Sequence, residues 1–210
     1  MSEGGYTASC IVSVFVAGDA VDLGLSVKWS SMNLGATSPT DYGDYFAWGE
    51  TAPKDNYNWA SYKWCNGSSS TLTKYNNNGS YGTVDNKTEF KDYNYEDDAA
   101  RQLLGGSWRM PTDAEWTELR EQCNWTWISQ NGVNGCKVTA PNGNSIFLPA
   151  AGYRSDTNHN YAGSNGYYWS SSIYTDSPYR AWDVRFYSSN AGSRDYSSRY
   201  FGRSVRPVSE

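Results

Sequence analysis

The chain has 210 residues, 38% of them hydrophobic and 16% aromatic, with a net charge of -5 and a pI near 4.9. That supplies enough apolar side chain for one sizeable core and far too many aromatics for a disordered chain. The acidic balance argues against general nucleic-acid binding, which needs a basic surface, and no run reaches the ~18 apolar residues that span a bilayer.

The first residues, "MSEGGYTASC", lack the basic-then-apolar layout of a signal peptide, so an unsecreted protein and a start beyond a cleavage point both stay open. Residues 6 to 16 alternate as one strand, overlapping the apolar run "CIVSVFVA" from Cys10 to Ala17. Leu25 to Trp29 predicts a second short strand ahead of the loop "NLGATSPTDYGDY". From Tyr57 to Tyr95, spacers such as "NGSSS" and "YNNNGSYG" predict a long surface excursion.

Two helices follow. "YEDDAARQLLGG" places acids at the front, Leu103 and Leu104 at the back and a glycine stop at Gly105 and Gly106. In "PTDAEWTELREQC", Thr112 and Glu115 form a capping box, with Trp116, Leu119 and Cys123 on one face. "GCKVTA", the turn Pro141-Asn142-Gly143 and "SIFLPAAGYR" then predict a hairpin. Further on, Ala181, Val184 and Phe186 fit a core face, and the three-residue step from Ala181 to Val184 predicts a bulge. The chain closes on a strand, Ser204 to Val208. The pattern is α+β.

Four cysteines, Cys10, Cys65, Cys123 and Cys136, show no zinc spacing, and only His159 is available to join them. Cys123 and Cys136 flank a predicted helix-to-strand loop, so a disulfide and two free thiols both remain open. His159, the sole histidine, reads as a solvated loop residue with no mark of a catalytic triad. Candidate acids for glycoside hydrolysis, Asp41, Asp44, Glu50, Asp97, Asp98 and Glu115, are better explained as caps and loop residues.

Four strings in order, "VDLGLSVKWSSMNLGATSPTDYGDYFAWGET" (21–51), "WRMPTDAEW" (108–116), "GYYWSSS" (166–172) and "SVRPV" (204–208), resemble the Fibrobacter major paralogous domain family. That family is similar to the variable proteins of diversity-generating retroelements and, more distantly, to the formylglycine-generating enzymes. The resemblance implies a C-type-lectin-like fold: two helices against small antiparallel sheets, in a domain over residues 21–210 with a leader strand or remnant of an upstream module at 1–20. It further implies an extracellular or bacterial cell-surface binding, display or adhesion protein with a variable-type segment at about 164–208.

Composition can be set against that expectation. From Val138 to Ser209 there is no Lys, Glu or Gln; all 7 basic residues are Arg and all 4 acids are Asp, giving +3 against -7 for residues 1–137. Mutagenesis of adenines in AAC or AAT codons yields Asn, Ser, Tyr, Asp, Arg and Gly but never Lys, Glu or Gln; Trp169 and Trp182 lie outside its reach and belong to a fixed template. A Tyr- and Arg-rich surface is also what binding hot spots favour.

The expected ligand-binding set is Tyr174, Asp176, Tyr179, Trp182, Asp183, Arg185, Tyr187, Tyr196, Tyr200, Phe201 and Arg203, forming one outward patch. Trp108, Trp116, Trp169, Arg109 and Arg206 read as scaffold, the arginines hydrogen-bonding internal carbonyls or acids. The expected ligand is a protein or a surface glycan, the expected state a monomer. No enzymatic activity is expected, because the formylglycine branch needs a reactive cysteine pair in the C-terminal third, where this chain has no cysteine. No cofactor is expected. Calcium-dependent sugar binding is disfavoured: Trp182-Asp183 lacks the Asn of Trp-Asn-Asp, and Ala140-Pro141-Asn142 lacks the Glu of Glu-Pro-Asn. Structural calcium on the acids of "TDYGDY" stays open.

Overall fold

A computed structural model describes residues 15–210. The strand expected over residues 6 to 16 lies almost wholly outside them. The chain is α+β, with two helices and four small antiparallel sheets among the described residues.

Strand β1 (Ala20–Val21) pairs with β2 (Lys28–Ser30), and β2 pairs with the C-terminal β11 (Val208–Ser209). The expected domain start at residue 21 therefore falls inside β1. The second strand begins later than the sequence suggests, at Lys28 rather than Leu25, since Gly24 at φ +70 holds a turn there. Helix α1 (Ala99–Leu104) starts on Asp98, whose carboxylate accepts from Arg101 N, and stops where Gly105 and Gly106 take positive φ.

Helix α2 (Asp113–Gln122) carries the predicted capping box: Thr112 accepts from Glu115 N, and the Glu115 carboxylate accepts from Thr112 N at 2.7 Å. Thr112→Ala should lower stability by about 1 kcal/mol, read from the midpoint of urea unfolding; an unchanged midpoint would remove the box from the account.

After α2 the expected loop is in fact a strand, β3 (Asn124–Gln130), which turns at Asn131 and Gly132 into β4 (Val133–Thr139). Trp125 packs inward from β3, and its tryptophan and isoleucine content outweighs the polar residues that suggest a loop. Cys123 and Cys136 are free thiols, so no disulfide links them.

The predicted hairpin of β4 with β5 (Ser145–Pro149) is present, but "SIFLPAAGYR" is not one strand. The chain bends at Gly152, φ +66, into a separate ladder of β6 (Tyr153–Ser155) with β7 (Asn158–Asn160). The third sheet has the order β10-β9-β8: β8 (Asn165–Ile173), β9 (Arg180–Tyr187) and β10 (Asn190–Ser198). At Gly166 a side chain would overlap the Phe186 ring across the ladder, so only glycine fits there.

Two cores flank this sheet. On the α2 side, Trp29, Trp116, Leu119, Trp125, Val138, Leu148, Tyr168, Val184 and Phe186 pack together. On the other, Phe46, Trp48, Tyr75, Phe90, Trp169, Ala181 and Val205 do so. The second core and a smaller cluster of Tyr45, Ala47, Tyr57, Tyr62 and Ala151 correct the reading of 57–95 as a surface excursion. Tyr57, Tyr62, Leu72, Tyr75 and Phe90 are all buried, and short 3-10 turns set them among polar spacers whose turn chemistry masks the burial.

The closing segment is not a continuous strand either. Gly202, Arg203 and Ser204 make isolated bridges to three different partners before β11 forms at Val208.

Candidate functional site

β9 pairs without interruption with β10 from Arg180↔Ser198 to Arg185↔Ser193, so its side chains alternate strictly. Arg180, Trp182, Val184 and Phe186 share one face; Ala181, Asp183, Arg185 and Tyr187 share the other. Val184 and Phe186 enter the core beside α2 while Ala181 enters the opposite core. The three-residue step from Ala181 to Val184 is therefore a change of core and not a bulge in β9. The register breaks lie in its neighbours, between Trp169 and Ile173 of β8 and between Asn190 and Ser193 of β10. One consequence is that the expected single patch divides between the two faces of the sheet.

On the α2 face, Tyr174 and Tyr196 stack at 4.2 Å, and Trp182 meets them edge-on at 4.8 and 5.7 Å. The Arg194 guanidinium lies 3.3 Å over the Trp182 ring and forks onto Asp113, the first residue of α2, at 2.9 and 2.6 Å. Arg180 lies over Tyr179 and Tyr196 and has no acid within ion-pair distance among the described residues. Exposed Asp176, beside the Tyr174 hydroxyl, raises the pKa of that group. These rings are half-buried or exposed, held by one another rather than by a core.

On the opposite face the expected outward set is corrected at two positions. Asp183 and Arg203 are buried, 2% and 3% exposed, and Asp183 Oδ1 sits 2.7 Å from Arg203 Nη1. Arg203 Nη2 donates to Ser197 Oγ at 2.6 Å, and its guanidinium lies under Tyr167 (4.7 Å), Trp169 (4.8 Å), Tyr153 and Phe201 (both 5.8 Å). Asp195 stands directly across the ladder from Asp183. Burial, opposed by Arg203 and assisted by Asp195, pushes the Asp183 carboxyl up to about 6. Around this pair, half-buried Arg185 lies between Tyr167 (5.6 Å) and Tyr187 (5.2 Å), and Tyr161, 59% exposed, stacks on Tyr153.

Tyr179 and Tyr200 join the two faces around the end of the sheet through residues the sequence reading missed. Trp59 touches Tyr200 at 5.0 Å and Tyr179 at 6.3 Å, Tyr81 touches Tyr179 at 5.2 Å, and Tyr200 meets Phe201 at 4.4 Å. The aromatics thus form one belt, two of whose members come from the 57–95 segment. The aromatic content of that segment was the available signal.

The scaffold residues sit as expected. Arg109 forks onto Glu115 at 2.9 and 2.6 Å, and Arg206, fully buried, donates to Asn33 Oδ1, Ser30 O and Phe147 O at 2.8–3.0 Å. Trp116 donates to Trp169 O and Trp169 to Phe46 O; Trp108 is half-buried. His159 belongs to β7 rather than a loop, and its Nε2 lies 2.8 Å from both the Tyr45 hydroxyl and Ala151 O. Asp41 accepts from Thr37 N and Oγ1, the ordinary work of a loop cap. Among the described residues no three His, Cys, Asp or Glu side chains converge on a point that would hold a metal.

Two buried carboxyls, Asp183 and the α1 cap Asp98, are both raised to about 6, chiefly by burial. Each takes up a proton on folding between the unfolded value near 4 and about 6, so the folded state gains stability as pH falls through that window. Glu115, Asp85 and Asp41, held below their ordinary values by hydrogen bonds and, for Glu115, by Arg109, lose their contribution below about pH 4. The melting temperature should therefore rise from pH 7.5 to about 5.5 and fall below 4. Asp183→Asn should shrink the upper limb to the share Asp98 supplies, and a rise of equal size in that variant would show that Asp183 does not contribute to it.

A family model described as a domain of unknown function (DUF8237) matches residues 125–208, from β3 to the first residue of β11. No curated protein and no solved structure matches the chain.

Proposed function

We propose that the protein is a non-catalytic binding or display protein of C-type-lectin-like fold that presents the Tyr/Arg belt of β8–β10 to a protein or surface-glycan target outside the cell. The observation that carries this reading is the division of labour along β9. Ala181, Val184 and Phe186 lock into the two cores and Asp183 is buried with Arg203, while Trp182, Arg185 and Tyr187 stand half-exposed among other aromatics. Tyr and Trp offer large contact area at low rotamer cost, and Arg a rigid fork of donors. No helix is long and apolar enough to cross a membrane among the described residues.

The Lys-, Glu- and Gln-free composition of Val138 to Ser209 supports retroelement diversification of this surface. Neighbouring DNA decides it: a reverse-transcriptase gene with a near-copy of the last coding bases, differing at adenines, is expected, and its absence leaves an undiversified adhesion domain on the same scaffold.

For binding itself, the wild type and a Tyr174→Ala/Trp182→Ala/Tyr196→Ala variant are compared on a glycan array and a panel of purified surface proteins. The wild type should retain a target that the variant binds at least ~30-fold more weakly, since each interface aromatic contributes about 2 kcal/mol or more. Equal binding by the variant, or robust turnover across hydrolase and oxidase substrates, would overturn the reading.

A further inference from the structure

Resting on the binding reading, we propose that the buried Asp183–Arg203 pair is a proton-operated switch for the tyrosine face it underlies, biasing that face toward anionic ligands in mildly acidic surroundings. The geometry supplies the titratable element. Asp183 is fully inaccessible, and its only counter-charge among the described residues is Arg203, at 2.7 Å. A carboxylate buried beside a single guanidinium is easily neutralised, the more so because Asp195 faces it across the β9–β10 ladder.

The groups that see its charge are few. They are Arg203 from the closing segment, Asp195 and Ser197 from β10, Arg185 two residues along β9, and the Tyr167 and Trp169 rings from β8, with Tyr153 and Phe201 over the guanidinium. With Asp183 ionised, Arg185 and Arg203 are balanced by Asp183 and Asp195. With Asp183 protonated the cluster carries one net positive charge beneath Tyr167 and Tyr187, in surroundings of low dielectric where that change is felt at the surface. Arg185, flanked by those two rings and without an acid at ion-pair distance among the described residues, is the group an incoming anion would meet. By linkage, an anion bound there favours protonation of Asp183 as much as protonation favours the anion.

The test uses sulfate as the probe and NMR as the readout, following the Asp183 carboxyl carbon, the Arg185 side-chain N–H and the Tyr167 and Tyr187 ring protons. Asp183 should titrate between pH 5 and 7, and sulfate should bind the face about three- to tenfold more tightly at pH 5.5 than at 7.5. Asp183→Asn should bind sulfate at both pH values as the wild type does at 5.5. Asp195→Asn, at a more accessible position, should move the Asp183 midpoint downward, which keeps the proposal testable if the Asp183 variant fails to fold. An Asp183 that stays ionised to pH 5, or an equal pH dependence of sulfate binding in Asp183→Asn, overturns the switch. A macromolecular ligand whose affinity ignores pH in both proteins also overturns it while leaving the binding reading intact. A working switch on a face that captures no macromolecule overturns only the binding reading.

Discussion

Arg206→Met is expected to destabilise the protein by about 3 kcal/mol or more, lowering the melting temperature by roughly 6–12 °C for a chain of this size. Arg206 is completely buried and its three donor groups satisfy Asn33 Oδ1, Ser30 O and Phe147 O, tying β2, the following loop and β5 to the closing segment. Methionine fills the volume but leaves three acceptors unpaired in the interior, each costing about 1–3 kcal/mol. Removing the charge recovers part of this, because burial disfavours the guanidinium enough to depress its pKa to about 10. Lysine, a single point donor in place of a fork, should rescue little. Differential scanning calorimetry reads the effect, and a shift under ~2 °C would mean that these contacts contribute almost nothing.

The second large effect is a contrast within one sheet. Trp169→Ala should cost about 3–5 kcal/mol, through the cavity left in the second core and the lost hydrogen bond to Phe46 O. Tyr187→Ala, half-buried against Arg185, should change stability by less than ~0.5 kcal/mol, and Trp182→Ala by about 1 kcal/mol through its stacking on Tyr174 and Arg194. Equal losses at Trp169 and Tyr187 would mean that the tyrosine face is part of the fold and not a surface laid upon it.

What the residues reveal in advance depends on whether a local rule governs them. The caps of α1 and α2 and the β4–β5 hairpin are legible because a side chain bonds its own backbone within a few residues, or because Asn142-Gly143 sets the turn. The roles of Arg109 and Arg206 are legible from the motifs that contain them.

Illegible is whatever two layers decide together. A strand buried on both faces carries no apolar alternation, so β9 reads as a strand with a bulge, and its register, one residue out at Asp183, reads as outward. The burial of Tyr57, Tyr75 and Phe90 is likewise hidden, because each is fixed by contacts with distant segments while its neighbours in sequence spell turns. Trp59 and Tyr81 enter the belt for the same reason. Asp183, read as outward from the strand register, and Arg203, read as flanking the closing strand, are polar core residues whose partnership appears only when the closing segment passes under β9.

The claim that one sheet carries both a fixed scaffold and a surface free to vary is tested most directly by saturating every position from 164 to 208 with all amino acids and scoring each variant for folded, protease-resistant protein. Tyr174, Asp176, Tyr179, Arg185, Tyr187 and Tyr196 should accept most substitutions. Gly166, Trp169, Ala181, Val184, Phe186, Arg203 and Arg206 should accept almost none, and Asp183 only small or neutral replacements such as Asn. A map in which the tyrosine and arginine positions are as restricted as the core, or in which Asp183 and Arg203 vary freely while Trp182 and Arg185 do not, would contradict the account.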